Sequence, residues 1–531
     1  MNGHILGGGF APGRDLPLRW FERRRFTRMD FIKYALAALF LFAVARIFQL
    51  WLLGTSARPA IERQSGSRAD IVDRNGVPLA VSLPAYELCA NGIKVARLAE
   101  SARALTKILP QLKYDDVMAK FKAKKECAPL ARRITQEERD KIAALKEPGF
   151  GFNLTERRAY PHGGLFAHVL GGVNAAGIGM GGMEKFMDEH SLASSPTPLS
   201  LSVDMYIQDA LRGNLANAMQ SYGAKSAAGI VIDVKTGEVL GLASLPDFDS
   251  AAAGTYSASE PHKNHATSDV YELGSIMKIF NHALAVESHY SKDKKFDVER
   301  PLYIGEHLVR DAHFHKQYLD FDEAFYYSSN RAAAQIAEEL GLEKQKEFFA
   351  RFNFFDRMVF ELPGLAKPIL SQWNKTTGKT VAYGNGLAIT MLHAVAGVNA
   401  IVGGGMYVSP TLLKRSDGDV LRSRQVVRDD TSEEMKRLMR LVLTEGTGRA
   451  ATTSDVVAGG KTGTMFKRKN GAYDETRTQV FFVTSLPLES PKYTMMIMLD
   501  EAVSGACNDA SCTAAPTARR IIEEITPLLV M

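Results

Sequence analysis

The 531-residue sequence predicts a multidomain α+β protein. It should have one N-terminal transmembrane helix, an N-terminal module, and a C-terminal domain whose central antiparallel sheet is packed by helices. Three observations predict this. The chain is far longer than the ~250–300 residues at which single cores stop growing. An apolar run, Tyr34–Leu53, follows an arginine-rich tail. Beyond it, period-two apolar alternation bounded by turn residues recurs among segments of helical periodicity.

Residues 1–33 form a basic tail in which Arg14, Arg19, Arg23, Arg24, Arg25, Arg28 and Lys33 face only Asp15, Glu22 and Asp30. Seven bases against three acids supply four of the six net positive charges of the chain. The remainder is nearly neutral and has no basic, aromatic-interleaved stripe, which excludes nucleic-acid binding. A composition of 46% hydrophobic and 23% charged residues likewise excludes a disordered or fibrous chain.

Within residues 34–53 only Arg46 and Gln49 interrupt the apolar stretch. Twenty helical residues span roughly 30 Å, the hydrocarbon thickness of a bilayer. Arginines ahead of it place the N-terminus in the cytoplasm and everything past residue 54 outside. Ala43-Val44-Ala45 resembles a signal-peptide cleavage site, but Ile47 and Leu50–Leu53 continue the apolar run past it, as an uncleaved anchor would. Arg46 costs ~2.5–3.5 kcal/mol at mid-bilayer on insertion scales. Two readings suit it equally: snorkelling to the interface, or a polar contact with another membrane helix. The four cysteines lie beyond the anchor, where disulfides persist; Cys89–Cys127 and Cys507–Cys512 are the simplest of three connectivities.

Residues 54–67 are a small, polar linker. Ile71 and Val72, then Asn75-Gly76 and Leu79, predict strand, tight turn and strand. Residues 95–147 read as mostly helical, with Leu98, Ala102, Leu105 and Ile108 on one face. Polar punctuation over His190–Pro198 closes a module at 68–195, and a second domain runs over 199–531. There Ile207, Leu211 and Leu215 predict a helix, and Ala228–Val234 with Val239–Ala243 a β-hairpin.

Three polar motifs punctuate this second domain: Ser275-Ile276-Met277-Lys278, Ser328-Ser329-Asn330 and Lys461-Thr462-Gly463-Thr464. Each is weak alone. Lys235-Thr236-Gly237 and Ser291-Lys292-Asp293-Lys294 repeat two of the patterns in a turn and a charged loop, so context must choose. Gly274 ahead of an amphipathic run puts Ser275 in the first turn of a helix, with Lys278 on the same face. A buried lysine can be neutral and take the serine proton. Ser328 and Asn330 open another helix and can relay a proton and bind an amide. Lys461, Thr462 and Thr464 can hold a carboxylate from a strand along which Gly463 lets a substrate backbone lie. Backbone N–H groups of Ser275 and Thr464 can form an oxyanion hole. That inventory is the one acyl transfer from a peptide carboxyl end requires. His313 and His315 share a strand face but lack further ligands, and read as polar surface.

With these motifs in order, the chain resembles a class B penicillin-binding protein of the cell-division D,D-transpeptidase type. The likeness also covers Arg68 through Ala80, Arg158-Ala159-Tyr160-Pro161, Gly182-Met183-Glu184, Tyr271-Glu272-Leu273-Gly274, Ala382–Gly386, Glu445-Gly446-Thr447-Gly448 and Ala514-Ala515-Pro516. Ala69 replaces a usual glycine, Ile276 a Thr or Ser, and Met465 an Ala. The resemblance implies an elongated pedestal (dimerisation-like) domain at 68–195 and a penicillin-binding domain after it. It also implies cross-linking of D-Ala-D-Ala stem peptides through a Ser275 acyl-enzyme, and β-lactam inhibition. The expected partners are a polytopic glycan polymerase and other division proteins. It implies no metal or organic cofactor. Rival readings are an elongation-type transpeptidase, a D,D-carboxypeptidase, a β-lactam sensor and an idle scaffold.

Overall fold

The computed structural model describes residues 36–42, 44–46 and 67–529, apart from 256–259, 313–315, 371, 417 and 470–471. The chain divides into two units at residues 65/66. Of the first, 36–42 and 44–46 are helical, with Leu36, Leu39, Phe40, Phe42 and Val44 exposed. Half of the expected anchor at 34–53 is outside the described residues, as are His313 and His315. Among the described residues no helix is long and apolar enough to cross a membrane.

The second unit begins with the expected strand, turn and strand. β1 (Ile71–Val72) leads through Gly76, at φ +82°, into β2 (Pro78–Ala90). Asp73 fixes the turn by accepting from the N–H groups of Asn75 and Val77 at 2.8 and 2.7 Å. Then come α1 (Leu98–Ile108), α2 (Tyr114–Lys122), β3 (Ala128–Ile134), α3 (Gln136–Ala143) and β4 (Phe150–Ala159). β3 interrupts the segment expected to be mostly helical. β2 pairs antiparallel with both β3 and β4, and Leu88, Leu105, Phe121, Leu130 and Ile142 form the core beneath. Cys89 and Cys127 are bonded, with Cα atoms 5.2 Å apart.

α4 (Gly182–Glu189) carries Glu184, on which three separate sequence motifs converge. Its wholly buried carboxylate accepts from Arg68 Nε at 2.5 Å, Arg158 Nε at 2.6 Å and Tyr160 OH at 3.2 Å. β5 (Leu199–Ser200) then returns to pair in parallel with β1, Ile71 opposite Leu199.

Beyond β5 lie α5 (Met205–Tyr222) and the hairpin β6 (Ser226–Asp233) and β7 (Val239–Leu245). Next are α6 (Met277–Glu287), α7 (Asn330–Leu340), α8 (Met391–Val402) and α9 (Asp429–Thr444). The chain finishes with β8 (Gly459–Lys469), β9 (Ala472–Leu486), β10 (Tyr493–Asp500) and α10 (Ala514–Ile525). The sheet order is β8-β9-β10-β6-β7, antiparallel throughout. α5 and α10 cover one face; α8 and α9 cover the other. Every residue of α8 is buried, so it is a core helix apolar on all sides. This layering leaves β8 as an edge strand, its free side turned toward the segment that opens α6.

Candidate active site

Gly274–Ile276 form a short 3-10 turn that runs directly into α6. Gly274 has φ +53°, and a Cβ there would lie 2.5 Å from Thr464 O and 3.4 Å from Thr464 N. Only glycine lets this turn press against β8, and the contact brings the backbones of the first and third motifs together. The side-chain space of Gly463 is also taken: a Cβ would meet Ile276 Cγ1 and Leu273 O, each at 2.7 Å. The nucleophile turn, through Ile276 and Leu273, requires the glycine there.

Lys278 is wholly buried beneath Ser275. Its Nζ is 2.7 Å from Ser275 Oγ, 2.6 Å from Ser328 O, 2.7 Å from Asn330 Oδ1 and 3.1 Å from Ser328 Oγ. The two carbonyl oxygens can only accept, so they take two amine hydrogens. In the neutral amine the lone pair is then left to the hydroxyls. Asn330 Nδ2 donates to Arg310 O at 2.8 Å, which turns the amide oxygen toward Lys278. Burial brings the Lys278 amine down to about 7, against the opposing pull of the Asp311 carboxylate.

Ser328 has φ +66°, a left-handed backbone that costs a non-glycine residue of order 1 kcal/mol or more. The conformation aims both its carbonyl and its hydroxyl at lysine amines. Ser329 caps α7, accepting from Ala332 N at 3.1 Å. Lys461, on β8, places Nζ 2.8 Å from Ser328 Oγ and 3.2 Å from Thr462 O. It is wholly buried, so burial first and the Lys278 charge second hold its amine well below the usual lysine range. Direct contact of Lys461 with a carboxylate is therefore revised: the cleft surface here consists of hydroxyls. Thr447 and Thr462 bond through their Oγ1 atoms at 2.6 Å, and Thr464 Oγ1 accepts from Ala510 N at 3.1 Å.

Above the two lysines lies a cleft of about 560 Å³ lined by Ser275, Tyr327, Thr464, Tyr473 and the loop Asn508–Ser511. The loop is closed by Cys507–Cys512, with Cα atoms 6.4 Å apart. A second cavity of about 430 Å³, between Val234, Gly404 and Pro491, holds none of the motif residues.

The two decoys separate cleanly. Lys235-Thr236-Gly237 is the β6–β7 turn, its N–H groups taken by Asp233, and Ser291 is exposed beside Lys292, which pairs with Glu434 at 2.8 Å. Sequence reasoning missed Asp311, Thr447 and the group formed by Glu272, Asn385 and Tyr473. Tyr473 OH donates to Glu272 Oε2 at 2.8 Å and accepts from Asn385 Nδ2 at 3.1 Å. Thr447 and Asn385 stood within quoted motifs and were readable as candidates; nothing local to Asp311 marks it.

The chain matches the penicillin binding protein transpeptidase domain over residues 227–523 and the penicillin-binding protein dimerisation domain over residues 63–196. It belongs to the class B penicillin-binding proteins, serine-type transpeptidases with a dimerisation module ahead of the catalytic domain. It is 33% identical to the probable peptidoglycan D,D-transpeptidase FtsI of Caulobacter vibrioides, covering 87% of this chain and 82% of that protein. It is 28% identical to stage V sporulation protein D of Bacillus subtilis, covering 87% and 78%. A crystal structure of a peptidoglycan synthetase from Bifidobacterium adolescentis shares the fold, with a TM-score of 0.69 at 19% identity over 88% of this chain and 96% of that one.

Proposed function

We propose that this protein cross-links peptidoglycan stem peptides at the division septum through an acyl-enzyme on Ser275. The observation that carries the reading is the 2.7 Å approach of Lys278 Nζ to Ser275 Oγ, with two amine hydrogens committed to carbonyls. Ser275 Oγ attacks the carbonyl of the penultimate D-alanine while its proton passes to Lys278 Nζ. The tetrahedral oxyanion is met by the N–H groups of Ser275 and Thr464. On collapse the terminal D-alanine leaves as an amine, protonated through Ser328 Oγ, which lies between Lys278 and Lys461. A stem-peptide amine from a neighbouring strand then attacks the ester and frees Ser275. The remaining N–H of Asn330 Nδ2 meets a substrate carbonyl. Thr462 and Thr464 hold the terminal carboxylate, with the Lys461 amine buried behind them.

A β-lactam presents the same carbonyl and carboxylate but keeps its leaving amine tethered, so it stalls as the ester. The exposed apolar residues over 36–44 and the arginine tail support a single-pass inner-membrane anchor with the catalytic domain in the periplasm. Tyr-Glu-Leu-Gly ahead of Ser275 favours the division role over elongation, with strands supplied by a polytopic glycan polymerase. The test is to label membranes with a fluorescent penicillin and map the modified peptide. The adduct is expected on Ser275; an adduct on Ser291 or Ser328, or none, refutes the reading.

A further inference from the structure

We infer that Asp311 is a positioning residue for acyl transfer: its carboxylate clamps the Ser328–Asn330 turn and serves as the counter-anion of the buried Lys278–Lys461 pair. The inference rests on the acyl-transfer reading above.

Two sets of observations carry it. The first is geometric. Asp311 Oδ1 accepts from the N–H groups of Asn330 and Arg331 at 2.5 and 3.1 Å, and Oδ2 accepts from Ser329 Oγ at 2.8 Å. Three donors at the start of α7 thus converge on a side chain from 18 to 20 residues earlier. The neighbouring Arg310 O takes the Asn330 amide, so residues 310–311 hold the side chain that faces Lys278. A left-handed Ser328 persists only when its surroundings over-determine it, and this clamp supplies one side of that constraint.

The second is electrostatic. Among the described residues, the charged and titratable groups facing Lys278 are Asp311, Lys461 on β8 and His282 one turn along α6. Burial pushes the His282 imidazole down to about 3, so it is neutral, and Lys461 can add only positive charge. Among the described residues Asp311 is therefore the anion that favours a proton on Lys278. Two buried amines with one carboxylate carry no net charge when a single amine is protonated. Low-dielectric surroundings favour that state, one ammonium and one free base, over the doubly protonated pair. That state leaves one amine free as a base, and the Asp311 carboxylate favours the ammonium that Lys278 becomes on taking the Ser275 proton.

Asp311→Asn tests the idea in the full-length protein, because an amide can keep the Oδ1 contacts while losing the charge. The readout is the rate of penicillin acylation at Ser275 across pH 5–10. Without the carboxylate the pair should release its proton more readily, so the acid limb should move down by about one pH unit or more. The plateau should also fall, since the Lys278 amine without its anion is a weaker base. Asp311→Glu keeps the charge but displaces it by one methylene, and should leave the limb in place with a slower plateau. A rate–pH profile of Asp311→Asn superimposable on wild type overturns the inference. Should that variant not fold, a wild-type plateau in Asp311→Glu overturns the clamp. If the wild-type protein fails to label at Ser275, the acyl-transfer reading falls instead, so the two failures are distinguishable.

Discussion

Replacing Lys278 by alanine removes the amine that touches Ser275 Oγ, Ser328 O and Asn330 Oδ1 within 2.7 Å. If that amine is the base, acylation should slow by roughly 10²–10⁴, the usual span for a general base. In barrier terms this is ~2.7–5.5 kcal/mol. Initial non-covalent binding of a β-lactam should change little, because Lys278 lies beneath the cleft and not on its surface. Stability should fall as well, since two carbonyl acceptors lose a buried donor at ~1–3 kcal/mol each unless water replaces it. Rates of fluorescent-penicillin labelling at several concentrations separate the acylation step from the binding step. The wild-type step should rise with pH through about 7, where the Lys278 amine loses its proton. An acylation rate within tenfold of wild type in Lys278→Ala, or a flat wild-type profile from pH 5 to 9, would show that another group takes the proton.

Gly274→Ala should lower acylation at least tenfold, because its Cβ would lie 2.5 Å from Thr464 O on a backbone at φ +53°; unchanged labelling would sink the close-approach argument. Alkylation of the unreduced, denatured protein should leave Cys507 and Cys512 unlabelled, and reduction should remove about 2 kcal/mol of stability in the chain-entropy model while loosening the cleft wall. Ready labelling of both cysteines before reduction would disprove the bond. Burial raises the Glu501 carboxyl, but Arg477, Lys225 and Lys467 outweigh it and bring the group from 4.5 to about 2. A carboxyl depressed on folding stabilises fully above its unfolded value and loses that effect as pH falls through its folded one. The Tm gap between wild type and Glu501→Gln should therefore be full above pH 4.5 and close toward pH 2; a gap independent of pH contradicts the assignment.

The site was legible in sequence where its geometry is local. Ser275 and Lys278 are three apart on one helix, so their contact follows from helical spacing. Lys461 was found by its motif, but its burial was not, because the covering residues, Phe325 among them, come from a segment more than 130 positions earlier. Asp311 shows the same limit, reaching the start of α7 from 18 to 20 residues earlier, past a short strand and a helix. In the module, β3 was missed because Arg132 and Arg133 break its alternation; Arg133 has φ +61°, and the pairing with β2 shifts register there. By contrast Arg68, Arg158, Tyr160 and Glu184 were each visible as motif residues. That they form one buried ion cluster was not, since pairing among four distant residues leaves no periodic trace.

The parallel pairing of Ile71 with Leu199 also has a mechanical meaning. The chain enters the module and leaves it at the same place, so β1 and β5 close a clasp from which residues 78–195 hang as a side branch. β1 is followed at once by contacts to the catalytic domain: Arg74 N donates to Val203 O at 3.0 Å, and Asn75 Nδ2 to Asp204 Oδ2 at 2.9 Å. Tension applied ahead of residue 67 is thus borne by the Arg68 cluster and by a short strand loaded in shear, and passes to the catalytic domain near α5. It does not run through the length of β2 and β4. The side branch can be pushed or gripped by another protein while the line from residue 67 to the catalytic domain stays short.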